Sequence, residues 1–174
     1  EMLSRITLAL ENIPFFLQPG CTTLNKGNII FSNNSEILAA STTSNSIRGL
    51  SCNLIFLDEF AFIERAADFY TSTYPVISSG EDTKVIITST ANGIGNMFYN
   101  LYEGAVQGTN MFKHFRIDWW DVPGRDEAWK KMTIQNTSEL QFAQEYGNDF
   151  QGASDSLINS SKLLELVSLE PIKK

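Results

Sequence analysis

Ser51-Cys52-Asn53-Leu54-Ile55-Phe56-Leu57-Asp58-Glu59-Phe60 decides how the chain is read. An apolar run, Leu54 to Leu57, ends abruptly in two carboxylates. A run this short, bounded by polar residues, predicts a strand buried on both faces, as in a parallel sheet. Buried strands do not tolerate unpaired charge. Asp58 and Glu59 are therefore expected where the strand emerges, at its C-terminal end, the edge at which open α/β sheets bind ligands.

The stretch 84–90 repeats the theme: Lys84-Val85-Ile86-Ile87-Thr88-Ser89-Thr90 is a β-branched run suited to a sheet interior, and it ends in three hydroxyls. Between the two runs, residues 64–79 carry helical pieces, with Pro75 expected to break or restart the helix. Residues 95–106 predict another helix, built on Met97, Phe98, Leu101 and Tyr102. Strand, helix, strand, helix indicates an α/β fold with a parallel sheet and crossover helices. In such a sheet Asp58-Glu59 and Thr88-Ser89-Thr90 share one edge. An apolar strand followed by Asp-Glu is the Walker B pattern of ATP hydrolases, in which one acid holds Mg²⁺ and the second acts on the attacking water. Hydroxyls beside such a pair can orient a water or sense a terminal phosphate. Plain β-propensity also accounts for threonines at a strand end.

Upstream, residues 2–13 show a helical apolar pattern closed by Pro14. Residues 22–24, 28–31 and 36–40 read as short strands separated by Asn25-Lys26-Gly27 and Ser32-Asn33-Asn34-Ser35, an antiparallel meander inserted before the central strand. The hydroxyl-rich stretch 41–50 reads as a loop, in which Arg48 could reach a phosphate or a carboxylate. Downstream, alternation over Phe112 to Trp119 predicts one more strand, and Asp121-Val122-Pro123-Gly124 a turn. Helices are expected over 126–134 and from Ser138 to about Tyr146, the latter opened by a capping box with Gln141. Residues 150–159 read as a linker, and 162–169 as a last short helix.

The chain has 174 residues, 43% of them hydrophobic and 19% charged, the balance of a globular domain with a substantial core. No apolar run approaches the ~18 residues of a membrane span. A net charge of −7 does not suit a nucleic-acid clamp, and no basic run exceeds Lys130-Lys131 or Lys173-Lys174. Cys21 and Cys52 lack metal-ligand spacing, and Cys52 is expected as a buried reduced thiol, which fits a cytosolic setting. His114, the only histidine, has no neighbouring His or Cys and is expected to be structural or exposed. No Gly-Lys dipeptide occurs, so the Gly-x-x-x-x-Gly-Lys-Ser/Thr phosphate loop is absent from these residues. Either the protein is no ATPase, or the phosphate cradle is expected upstream of Glu1.

Taken in order, Phe16-Leu17-Gln18-Pro19-Gly20, Asn25-Lys26-Gly27, Ile47-Arg48-Gly49, Leu57-Asp58-Glu59-Phe60-Ala61-Phe62-Ile63, Pro75-Val76-Ile77-Ser78-Ser79-Gly80, Ile86-Ile87-Thr88-Ser89-Thr90-Ala91-Asn92-Gly93, Gln144-Glu145 and Phe150-Gln151-Gly152 resemble the large terminase subunit of T-even-type tailed bacteriophages. The resemblance implies a partial P-loop NTPase of the RecA/ASCE type. Residues 1–118 would be the later part of the ATPase core, 119–152 a small helical subdomain, and 153–174 a linker toward a nuclease of ribonuclease-H-like fold. It implies that Asp58 is the Walker B aspartate for Mg²⁺ and Glu59 the catalytic glutamate. Thr88, Ser89 and Thr90 would be the coupling motif, with Ser89 where the family usually has threonine. It further implies ATP and Mg²⁺ as cofactors and an activity that drives double-stranded DNA into a procapsid. The implied partners are the portal protein, a small terminase subunit and further copies in a ring, in the host cytoplasm at the procapsid portal, with no membrane. Lacking the cradle, this stretch alone is expected to hydrolyse ATP poorly or not at all.

Three other readings compete. A helicase-like ATPase shares the strand ends but carries paired arginines and a second α/β lobe, which this chain does not display. A metal nuclease using Asp58 and Glu59 directly would need a bend, because consecutive strand residues point to opposite faces, and further converging carboxylates. A non-catalytic domain would use its acidic surface to dock a basic partner.

Overall fold

The computed structural model describes residues 2–41, 50–78 and 83–150. They divide into two compact units, Glu1–Leu50 and Ser51–Lys174. The boundary falls just ahead of the central strand, and the expected subdomain boundary near residue 118 lies inside the second unit.

In the first unit, helix α1 (Met2–Glu11) buries Leu3, and a 3-10 turn follows over Phe15–Leu17. The meander forms as expected: β1 (Cys21–Leu24), β2 (Asn28–Phe31) and β3 (Glu36–Leu38) pair antiparallel in that order. The turn between β1 and β2 is local chemistry, since Asn25 Oδ1 accepts from the N–H groups of Gly27 and Asn28 at 2.7 and 2.8 Å. Ile29 on the middle strand is fully buried.

In the second unit, β4 (Leu54–Leu57) runs parallel to β5 (Lys84–Ile87), with Leu54 opposite Lys84 and Leu57 opposite Ile87. Helix α2 (Ala66–Ser78) makes the crossover. Pro75 lies inside α2 rather than breaking it. Proline in a helix interior costs about 3 kcal/mol, but Phe69, Thr73 and Val76 are buried on both sides of it, and packing of that face outweighs the lost hydrogen bond. Helix α3 (Met97–Val106) follows, capped by Asn96, whose side chain accepts from the Tyr99 N–H at 2.9 Å.

Two expectations about strands fail here. The central strand is not buried on both faces. Ile55 and Leu57 are buried, whereas Leu54 is 56% exposed, Phe56 43% and Ile86 on the neighbouring strand 47%. Among the described residues the two-stranded sheet is covered on one face only, so its apolar residues alternate between core and solvent. The strand expected from Phe112 to Trp119 is also absent. Its backbone partners lie on the C-terminal turn instead: Asn148 Nδ2 donates to the Ile117 carbonyl at 2.7 Å, Arg116 Nη2 to the Gly147 carbonyl at 2.9 Å, and the Trp119 N–H to the Tyr146 carbonyl at 3.0 Å.

The remaining helices, α4 (Glu127–Asn136) and α5 (Glu139–Glu145), match expectation in place, and of the capping box expected for α5 the Ser138 half is present. Asp126 caps α4, and Ser138 Oγ accepts from the Gln141 N–H at 3.1 Å. They close around aromatic rings. Trp119 lies 5.9 Å from Phe142 and 6.3 Å from Trp129, and Trp129 lies 5.2 Å from Tyr146. Arg125 sits 4.8 Å over the Trp129 ring, and Lys130 5.2 Å over that of Trp119. No described helix is long and apolar enough to cross a membrane. Cys52 is half-buried rather than buried, and both cysteines are free. The expected linker at 153–174 and the helix at 162–169 lie outside the described residues.

Candidate functional site: the carboxylate corner

The parallel pairing of β4 and β5 brings their C-terminal ends together. The ladder continues one step beyond the strands, with the Thr88 N–H donating to the Leu57 carbonyl at 2.9 Å and the Phe60 N–H to the Thr88 carbonyl at 3.1 Å. This register sets Thr88 beside Asp58, and Thr88 Oγ1 donates to Asp58 Oδ1 at 2.8 Å. The same carboxylate oxygen accepts from the Glu59 N–H at 3.2 Å. Asp58 is therefore oriented by two donors, yet remains exposed.

Glu59 leaves the strand. Its backbone is left-handed, with φ 52° and ψ 40°, a region that non-glycine residues enter at a cost of about 1–2 kcal/mol. This is the bend that separates the two carboxylates from simple strand alternation. A 3-10 turn over Phe60–Phe62 follows, with Phe60 fully buried against Tyr70, ring centroids 6.3 Å apart. Partial burial raises the proton affinity of the Glu59 carboxyl above its ordinary value, and the negative charges of Asp58 and Glu145 push the same way. Glu145 comes from the last turn of α5, so the helical region contributes a charge to this corner.

Ser89 does not face outward as a free hydroxyl. Its Oγ accepts from the Ala61 N–H at 3.1 Å. Asn92 completes the arrangement by donating through Nδ2 to the Ala61 carbonyl at 2.9 Å. Asn96, the cap of α3, donates in turn to the Asn92 and Gly93 carbonyls at 2.7 and 3.1 Å. Gly93 and Gly95 take positive φ, of 72° and 84°, in the turn that leads into that helix.

The structure thus brings together four of the residues singled out from the sequence: Asp58, Glu59, Thr88 and Ser89. Thr90 is half-buried further along the loop. Arg48 lies outside the described residues. Sequence reasoning passed over Asn96, and met Asn92 and Glu145 only as parts of quoted motifs, with no role assigned. The turn-forming Ala91-Asn92-Gly93 was the available signal, since Asn beside Gly marks a backbone that needs side-chain partners. His114 is exposed, with its ring 6.0 Å from that of Tyr102.

Among the described residues no group of three or more His, Cys, Asp or Glu gathers to hold a metal ion. The corner offers one oriented carboxylate and a hydroxyl. That donor set suits Mg²⁺, which keeps several waters and takes one or two carboxylates plus substrate phosphates. It does not suit a metal caged by protein alone.

A family model described as the terminase large subunit, T4likevirus-type, N-terminal, matches residues 9–165. The matched span includes both strand ends and the helices that follow them.

Proposed function

Because the chain belongs to the T4-like terminase large-subunit family, as its N-terminal region, a role in phage DNA packaging follows, and we propose that the carboxylate corner is the metal-and-water half of an ATPase site in a P-loop NTPase fold. The hydrogen bond from Thr88 Oγ1 to Asp58 Oδ1 across two parallel strand ends, with Glu59 next in sequence, carries this reading.

In it, Asp58, its carboxylate oriented by the Thr88 hydroxyl and the Glu59 N–H, would hold Mg²⁺. When bound, the ion neutralises charge on the nucleotide phosphates. Glu59 accepts the proton of the attacking water. Its raised proton affinity favours that task, because a base works best when its pKa lies nearer the working pH. The gripping half of the site, a Gly-Lys-Ser/Thr loop, is not in this sequence and must come from residues outside it. On this reading, hydrolysis drives double-stranded DNA into a procapsid. The partners are the portal protein, the small terminase subunit and further copies in a ring, at the procapsid portal in the host cytoplasm. A nuclease using Asp58 and Glu59 as joint metal ligands is disfavoured, since among the described residues no group of three His, Cys, Asp or Glu is placed to hold a metal ion.

The test is Mg²⁺-dependent ATP hydrolysis by the complete large subunit carrying these residues. Glu59→Gln removes the base and keeps the shape, so turnover should fall by about 10²–10⁴-fold. Wild-type turnover in that variant would sink the assignment.

A further inference from the structure

Glu59 is held in a backbone conformation that it does not favour. Strain of this kind persists only where the surroundings over-determine it. Here the clamp is found on the next two residues. Phe60 is fully buried and its N–H is tied to the Thr88 carbonyl. Ala61, itself buried, has both of its backbone groups bonded to side chains rather than to a ladder: the N–H to Ser89 Oγ and the carbonyl to Asn92 Nδ2. Buried backbone groups must be paired, and among the described residues no strand reaches Ala61 to do it. Asn92 is held in turn by Asn96 through its own carbonyl.

We propose that Asn92, together with Ser89, is a positioning residue that fixes the turn after β4 and thereby the place of the Glu59 carboxylate. The inference rests on the ATPase reading of the corner. It gives Ser89 a task other than contact with phosphate. Asn92 suits the role because its amide donates to the Ala61 carbonyl while its backbone takes the bond from Asn96. Aspartate at the same position has the same shape but no hydrogen to donate. A base displaced by about 1 Å loses on the order of 10²-fold in rate without losing substrate affinity.

The experiment compares Asn92→Ala and Asn92→Asp in the complete large subunit, with and without Glu59→Gln. Steady-state hydrolysis, single-turnover phosphate release and binding of a non-hydrolysable ATP analogue are measured. Both single variants should bind the analogue as the wild type does, which also reports an intact fold. Their kcat should fall at least tenfold with KM for ATP within twofold. In the Glu59→Gln background Asn92→Ala should cost less than a further twofold, because the base it positions is already gone. Should Asn92→Ala fail to fold, the isosteric Asn92→Asp decides. Unchanged kcat, a rise in KM alone, or losses that multiply in the double variant would overturn the positioning role. If Glu59→Gln itself turns over normally, it is the ATPase reading that fails.

Discussion

Two regions of the second unit are built on opposite terms. The carboxylate corner holds two exposed carboxylates, one strained residue, a side-chain bond from Thr88 to Asp58 and a set of side-chain bonds to backbone: Ser89 and Asn92 to Ala61, Asn96 to Asn92. The helical region around α4 and α5 holds stacked rings with cations over their faces and well-capped helices. One region spends stability to aim groups at solvent, whereas the other accumulates it by packing. On the ATPase reading, the contrast separates residues whose loss unfolds the protein from residues whose loss silences it.

The strongest test of the contrast is Trp119→Ala. Trp119 is buried, meets Trp120, Trp129 and Phe142, and carries Lys130 over its ring. Its truncation should cost about 3–5 kcal/mol in urea or thermal unfolding. On the ATPase reading, turnover per folded molecule of the complete large subunit should remain near that of the wild type. A cost below about 1 kcal/mol would show that the ring cluster is not where the stability resides.

A smaller effect of opposite kind is expected at Glu59. Glycine enters the left-handed region freely, whereas alanine does not. Glu59→Gly should therefore be more stable than Glu59→Ala by about 1 kcal/mol, although on the ATPase reading neither supports hydrolysis. The pair reads strain alone, since both lose the carboxylate. Equal stability of the two would mean that the turn relaxes and that φ 52° is not enforced by its neighbours.

What could be read beforehand divides along the same line. The Ser138 cap, the Asn25-Lys26-Gly27 turn and the ends of β4 and β5 were legible, because each depends on residues within a few positions of one another. The meeting of Asp58 with Thr88 was legible too, from one rule about parallel sheets. Burial of the second face of β4 was misjudged because an apolar run records what a strand can pack against, not whether a layer is there. The alternation over Phe112 to Trp119 suggested a strand, but a strand needs a partner, and that segment's bonds go to a turn about thirty residues away. Asn92 escaped for the same reason: its partner is the Ala61 carbonyl, 31 residues back. Pairings at that distance carry no local pattern.

The smallest expected effect lies where the two regions meet. Glu145, at the end of the ring-packed α5, adds its charge to that of Asp58 in raising the proton affinity of Glu59 above the ordinary 4.5, with partial burial the larger cause. A carboxyl whose folded-state pKa is raised binds its proton more tightly folded than unfolded. Well below pH 4.5 the group is protonated in both states and contributes nothing. As pH rises past that value the unfolded chain gives up its proton first, so stability falls until the folded group has also ionised, and then levels off. At neutral pH the charged Glu59 is therefore a net burden on the fold. Glu59→Gln removes the charge and keeps the shape, so its urea midpoint should exceed that of the wild type at pH 7.5, and the gap should narrow as pH falls toward 4.5. A gap independent of pH would assign the gain to something other than charge. A wild type more stable than the variant at neutral pH would mean that Glu59 has a stabilising partner, and that the corner is built on the same terms as the rings.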